Sequence, residues 1–244
     1  MLNTIGFKIE YISQKNWPVS ESVVFFQQKI VDSLWNTVKH ELLSQVPSKS
    51  LDTLMWEISP EEKYTFDLNI LRRMIEFVTL YDNNHNKYSI NLNPSTITHP
   101  NFIRDMSQIF YERKITDYSQ IDFEITENGY FNEDEMKVLN ANIAYIQHLW
   151  IKIGIDDYPN MNNNNELLDR IDKIDFVKID KWFLLSYKDR DIPLDMLLRA
   201  FSRHISDIRS RVWDVTIVVE WVENEELFNI LKENFWDQIT LFQW

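Results

Sequence analysis

The chain contains no cysteine and only three glycines, Gly6, Gly129 and Gly154. The first absence excludes disulfides, thiolate zinc sites and a cysteine nucleophile, so any metal must be held by oxygen or nitrogen. The second excludes a glycine-rich phosphate cradle of the P-loop or dinucleotide-binding kind, which needs closely spaced glycines to bring backbone N–H groups onto phosphate. No apolar run approaches the roughly 20 residues that span a bilayer, and the opening MLNTIGFKIEYISQKNW lacks the basic start and apolar core of a secretion signal. Basic residues are also short: 25 Lys and Arg against 38 Asp and Glu give a formal charge of -13. That balance excludes a broad surface for DNA or an anionic membrane, both of which are gripped through Lys and Arg patches. The expectation is a cytoplasmic protein with neither DNA nor membrane as partner. A polyanionic substrate would need bound cations to reverse the local field.

What is present is apolar and aromatic material, 44% and 14% of the chain, enough to bury a large core. A length of 244 residues suits a closed α/β barrel built as one domain, preceded here by a variable extension over residues 1–22. FKIEYIS and VVFFQQKIVD read as an N-terminal β-hairpin around the turn-like KNWPVSES. VKHELLSQV is a third strand. Ser59-Pro60-Glu61-Glu62 then opens a helix running to Leu80 or Tyr81, with Ser as cap, Pro in the first turn and Glu three residues after the cap.

Strand and helix alternate from there. The strands are SINLN, IDFEITE, WIKIGIDD, FVKID, VTIVVEWV and QITLFQW; the helices lie at 101–114, 133–150, NELLDRI, 194–210 and NEELFNILKENF. Asn132 caps the second of these with Glu135 three residues on. Repeated strand–helix units imply a parallel sheet covered by helices, and about seven such strands after a hairpin favour a TIM-like (β/α) barrel over an open sheet. The run from Asn160 to Asn165 reads as a polar loop.

Polar residues collect at strand ends. Glu41, Asn91, Glu124, the pair Asp156 and Asp157, Lys178 and Glu220 each interrupt or end an apolar run, where an unpartnered polar group costs several kcal/mol. In a parallel barrel the C-terminal strand ends converge on one face, so these residues become neighbours. A single acid at a strand end is ordinarily a salt-bridge partner. A ring of Glu41, Asn91, Glu124, Asp156 and Glu220 offers only hard oxygen donors, the preference of magnesium or manganese, and two such ions would relieve its self-repulsion and activate water.

These motifs resemble, in order, those of the EAL domain family of cyclic di-GMP phosphodiesterases. QQKIVDSLWNTVKHELL resembles the segment leading into the signature Glu-Ala-Leu, here Glu41-Leu42-Leu43, and SINLNP resembles Ser-Val-Asn-Leu-Ser-Pro. FEITEN, IDDYPN, FVKIDKWFL and VVEWVENEEL follow as the remaining four. The resemblance implies metal-dependent hydrolysis of cyclic di-GMP to linear pGpG, with Glu41, Asn91, Glu124, Asp156 and Asp157 as ligands of two Mg2+ or Mn2+ ions. It further implies that Lys178 and Glu220 handle the proton of the attacking water, that Glu127 braces the loop after the Asp pair, and that Glu223 supports the substrate site. A homodimer and a regulatory protein partner are its candidate assemblies.

The chain departs from the family pattern at Gln45, in the stretch after the Asp pair, at Trp221 and around Thr240-Leu241, where the family has Gln-Gly. Gln45 stands where the family places a substrate-binding Arg, and it cannot clamp phosphate as a two-pronged cation. Tyr158-Pro159-Asn160-Met161 replaces Phe-Gly-Thr-Gly, and Pro159 fixes φ and removes a donor. Trp221 follows Glu220 in place of glycine. These changes support a second expectation, a non-hydrolytic EAL protein that binds the nucleotide or another protein. Trp221, Tyr158 and Trp182 could stack on a purine, though packing is the commoner use of such rings.

Overall fold

The computed structural model describes residues 6–12, 18–46, 48, 50, 53–54, 58–81, 86–126, 131–159, 164–181, 184, 192–220, 222 and 225–243. The expected hairpin is formed by β1 (Gly6–Ile12) and β2 (Pro18–Val31), paired antiparallel from Gly6 with Val24 to Ile12 with Pro18. Residues 18–22, read from sequence as turn, extend β2 instead. The ladder to β1 continues through Val19, Ser20, Glu21 and Ser22, opposite Tyr11, Glu10, Ile9 and Lys8, and Pro18 takes the first position of the strand, where a missing donor is tolerated.

β2 runs antiparallel to β3 (Thr37–Gln45). The parallel series then runs from β3 through β4 (Tyr88–Leu92), β5 (Ile121–Ile125), β6 (Lys152–Tyr158), β7 (Phe176–Ile179) and β8 (Thr216–Val219) to β9 (Leu241–Gln243). β9 pairs back onto β2 through Ile30 with Gln243 and Val31 with Phe242, which closes the barrel. The second strand of the hairpin is therefore a stave of the barrel, and β1 is appended outside it.

The helices are α1 (Pro60–Tyr81), α2 (Pro94–Ile97), α3 (Phe102–Glu112), α4 (Glu133–His148), α5 (Asn164–Arg170), α6 (Leu194–Arg211) and α7 (Glu225–Phe235). Both expected capping boxes form. Ser59 Oγ accepts from the Glu62 amide at 3.3 Å while the Glu62 carboxylate takes the Ser59 amide at 2.8 Å, and Asn132 and Glu135 exchange bonds in the same way. The short α2 was not anticipated; Asn93 caps it and Pro94 starts it.

With so little glycine, two helices end in a backbone conformation that L-amino acids disfavour. Lys114 after α3 and Trp150 after α4 adopt φ of 55° and 68°, the left-handed conformation usually given to glycine. For α3 the ending is a Schellman motif, with Ile115 N–H bonded to Phe110 O and Lys114 N–H to Tyr111 O. Each such residue costs about 1–2 kcal/mol of backbone energy.

The main core lies between the sheet and the helices, where Phe102, Phe110, Phe201 and Phe228 are fully buried. Inside the barrel the apolar content is small: Ile30, Phe176 and Val218, with Leu241 against them. Most barrels fill this space with bulky branched side chains. Here much of it is ionic.

A candidate metal centre at the C-terminal strand ends

Side chains alternate across a strand, so Lys39 and Glu41 on β3, Asp122 and Glu124 on β5, Gly154 and Asp156 on β6, and Phe176 and Lys178 on β7 form inward pairs, one above the other. The upper member of each pair meets the others at one point. Lys178 Nζ lies 2.9 Å from Glu41 Oε2, 2.9 Å from Glu124 Oε2, 2.8 Å from Asp156 Oδ1 and 2.7 Å from Glu220 Oε1. Lys178 and Glu124 are 0% exposed. The contact with Asp156 Oδ1 is an ion pair off the angle of a hydrogen bond.

An ammonium has three N–H donors and cannot satisfy four carboxylates. Charge is also unbalanced, because one lysine faces Glu41, Glu124, Asp156 and Glu220 together, and Asp157 lies beside the last two. Burial alone would lower the Lys178 pKa, but the four carboxylates raise it well above its ordinary value. Burial also raises Glu41 and Asp156, and their acidic neighbours add to the rise against the pull of Lys178. Glu124 goes the other way. Its burial is outweighed by Lys178 and Lys39, and its pKa falls.

Two overlapping sets of carboxylates, Glu41 with Glu124 and Asp156, and Asp156 with Asp157 and Glu220, bring oxygens within 4.8 Å of one another. Successive strand residues normally face opposite sides, yet Asp156 and Asp157 share a set. β6 is irregular in register between Ile155 and Tyr158, and Asp157 has φ of 55°, which turns its side chain toward that of its neighbour. Asn91 Nδ2 donates to Glu41 Oε1 at 2.7 Å, while its buried Oδ1 has no hydrogen-bond partner among the described residues. An orphaned amide oxygen amid excess carboxylate fits a hard divalent cation such as Mg2+ or Mn2+, and nothing in the donor set suits a soft metal.

Asn91 sits just before α2, and that junction is held from outside the barrel. Thr96 Oγ1 donates to Asp67 Oδ2 of α1 at 2.5 Å, and burial pushes the Asp67 pKa up to about 6 despite this bond.

Of the expected site residues, Glu41, Asn91, Glu124, Asp156, Asp157, Lys178 and Glu220 come together. Gln45 ends β3 on an exposed rim. Glu127 and Glu223 lie outside the described residues, as do Trp182 and Trp221. Tyr158 is a core residue, 1% exposed and bonded through its hydroxyl to Asp207 of α6. Its peptide bond to Pro159 is cis.

Sequence reasoning missed the layer beneath the carboxylates. Lys39 Nζ is 3.1 Å from Asp122 Oδ2, 3.8 Å from Glu124 Oε1 and 3.7 Å above the Phe176 ring. Phe176 can lie there because residue 154 is glycine; a Cβ on Gly154 would stand 2.2 Å from the ring. Gln243 was missed too, and its Nε2 donates to Glu41 Oε2 at 2.6 Å. Lys39→Met is expected to destabilise the protein by about 3–5 kcal/mol, because Asp122 would remain as a buried charge without its cation. Adding Asp122→Leu should recover most of that loss in urea denaturation; equal midpoints for the single and double variants would mean that the pair is not the source.

A model of the EAL domain matches residues 21–238. The chain belongs to the EAL domain family. Cyclic di-GMP phosphodiesterase TpdA of Vibrio parahaemolyticus is 30% identical over 145 residues, which are 59% of this chain and 23% of TpdA. Cyclic di-GMP phosphodiesterase PdeF of Escherichia coli is 27% identical over 141 residues, 58% of this chain and 18% of PdeF. The EAL domain here thus matches about a quarter or less of the length of these relatives.

Solved EAL structures share the fold. The manganese and cyclic di-GMP complex of Klebsiella pneumoniae BlrP1 at pH 9.0 superposes with a TM-score of 0.68 at 21% identity, over 100% of this chain and 58% of that one. A standalone versatile EAL protein of Vibrio cholerae O395 bound to c-di-GMP gives 0.66 at 19% identity, over 90% and 88%.

Proposed function

We propose that this EAL domain is a metal-dependent phosphodiesterase that opens cyclic di-GMP to linear pGpG. The observation that carries the proposal is the convergence of Glu41, Asn91, Glu124, Asp156, Asp157 and Glu220 from the ends of five strands onto one site, with more negative charge than Lys178 neutralises. Glu41, Asn91, Glu124 and Asp156 would hold one Mg2+ or Mn2+ ion, and Asp156 with Asp157 a second. Bound there, the ions would supply an activated water and stabilise charge on the phosphoryl oxygens. Lys178 and Glu220, 2.7 Å apart, form the proton-handling pair: the ammonium favours the deprotonated nucleophile and the carboxylate accepts its proton. The strands fix these groups, so little reorganisation is needed at the moment of reaction.

A second reading, nucleotide or protein binding without hydrolysis, draws on Gln45 at the rim and Pro159 two residues after the Asp pair. A folded barrel can outlast its chemistry. The two readings separate in one experiment, in which the protein is incubated with cyclic di-GMP and Mg2+ or Mn2+ and the nucleotides are resolved by chromatography. Linear pGpG is the expected product; retained binding without product would select the second reading. Among the described residues no helix is long and apolar enough to cross a membrane.

A further inference from the structure

We infer that the Tyr158 hydroxyl and Asp207 of α6 form a tether that positions Asp157 for the second metal ion, an inference that rests on the two-ion reading of the centre. Between Ile155 and Tyr158 the ladder slips. Ile155 pairs with Val177 and Tyr158 with Ile179, so β6 sets Asp156 and Asp157 against Lys178 alone. That extra residue is a bulge. Unbroken alternation would send Asp156 into the barrel, Asp157 out toward the helices and Tyr158 in again. Instead Asp157, with φ of 55°, joins Asp156 and Glu220, and Tyr158 is buried in the core between the sheet and the helices. The inward aspartate and the outward tyrosine are two results of one kink. Holding Tyr158 out holds Asp157 in.

A residue other than glycine keeps a left-handed conformation only where its surroundings fix it. Tyr158 supplies that fixing on the C-terminal side of the kink. Its carbonyl accepts from the N–H of Asp180, directly after β7, at 2.8 Å. Its ring stands edge-on to His204 of α6, with centroids 6.3 Å apart and planes at 84°. Its hydroxyl donates to Asp207 Oδ2. Asp207 is itself oriented, because Arg211 Nε donates to Oδ1 at 3.1 Å and Arg211 Nη1 reaches on to Asp169 Oδ2 of α5 at 2.7 Å.

The hydroxyl is what a ring of the same shape would lack. Phenylalanine, which the family pattern has at this place, would fill the core and leave Asp207 to Arg211. The sequence departs from the same pattern at Pro159, Asn160 and Met161, so the added bond stands just ahead of the altered stretch. Hydrogen bonds to an ionised acceptor are among the strong ones, which suits this bond to holding a strained turn.

Titration calorimetry of Mn2+ into the metal-free full chain tests the tether, and product chromatography runs beside it so that the tether and the proposed hydrolysis fail separately. The wild type should bind two ions, and Tyr158→Phe should weaken the second by about tenfold, the lower end of what losing an outer partner of a ligand costs, while leaving the first in place. Asp207→Leu should do the same, and the double variant should be no worse than either, because both remove one bond. Asp207→Asn, whose amide oxygen still accepts from the hydroxyl, should lose less. Raising Mn2+ should return the turnover of Tyr158→Phe toward that of the wild type, as expected of a residue that acts through the metal. Equal Mn2+ affinities in the wild type and Tyr158→Phe would overturn the tether and leave the proposed hydrolysis standing. Equal weakening of both ions, with a lower melting temperature in EDTA, would make the bond a prop of the fold and overturn the tether as well. A wild type that binds one ion or none would remove the second site and the tether with it. Mn2+ affinity decides the inference whether or not pGpG forms.

Discussion

Replacing Lys178 with methionine is expected to cost the metal-free protein about 3–5 kcal/mol, the range seen when one member of a buried ion pair is removed. Methionine keeps much of the stem volume, so the loss isolates the charge. The ammonium is fully buried and stands 2.7–2.9 Å from four carboxylates, and without it Glu41, Glu124, Asp156 and Glu220 face one another across the barrel. Divalent cations should then return much of the lost stability, because they bind the folded ring and not the unfolded chain; at a hundred times the dissociation constant the gain is about 2.7 kcal/mol. Urea denaturation in EDTA and in manganese measures both halves. If the variant unfolds at the wild-type midpoint in EDTA, Lys178 is not the counterion of the metal-free ring. If manganese raises the wild type but not the variant, the ammonium organises the ligands as well as neutralising them.

The upper layer of this centre was legible because each of its residues breaks a strand that is otherwise apolar. Glu41 in HELL and Lys178 in FVKID stand out against their neighbours, and the parallel topology supplies the convergence. Lys39 and Asp122 carry the same signal one period earlier on the same strands, two residues before Glu41 and Glu124. They were passed over because they lie at strand starts, where a charge is ordinarily solvated. Gln243 could not be read at all. It reaches Glu41 only because β9 closes onto β2, and closure is a long-range pairing that no local pattern announces. The same closure explains why the hairpin looked like an extension while its second strand serves as a stave. Helix starts were readable from the chemistry of Ser59 and Asn132. The ends at Lys114 and Trp150 gave no such signal, since neither residue is a usual left-handed cap.

Glu41→Ala is expected to have the opposite profile from Lys178→Met, with chemistry lost and stability largely kept. The substitution removes a carboxylate that would ligate metal, so the proposed hydrolysis should fall by more than the roughly 10–100-fold typical of losing an outer partner of a ligand. Stability is pulled both ways. Asn91 Nδ2 and Gln243 Nε2 lose their acceptor, a cost of about 1–3 kcal/mol for each donor left unsatisfied. Against this, burial with the repulsion of Glu124 and Glu220 raises the Glu41 pKa in the folded state despite Lys178, so its ionised form works against folding at neutral pH. A folded pKa above the usual 4.5 means that the stability Glu41 contributes is complete below that value and is lost as pH rises through the folded pKa. In metal-free buffer the variant should therefore gain on the wild type as pH climbs from 4.5 toward neutrality, and three carboxylates should still engage Lys178. Titration calorimetry with Mn2+, product chromatography and melts across pH separate these effects. A variant that hydrolyses at the wild-type rate would remove Glu41 from the proposed metal centre, and one that is unfolded at every pH would make its role structural; a folded protein with weak Mn2+ binding and no product is the expected outcome.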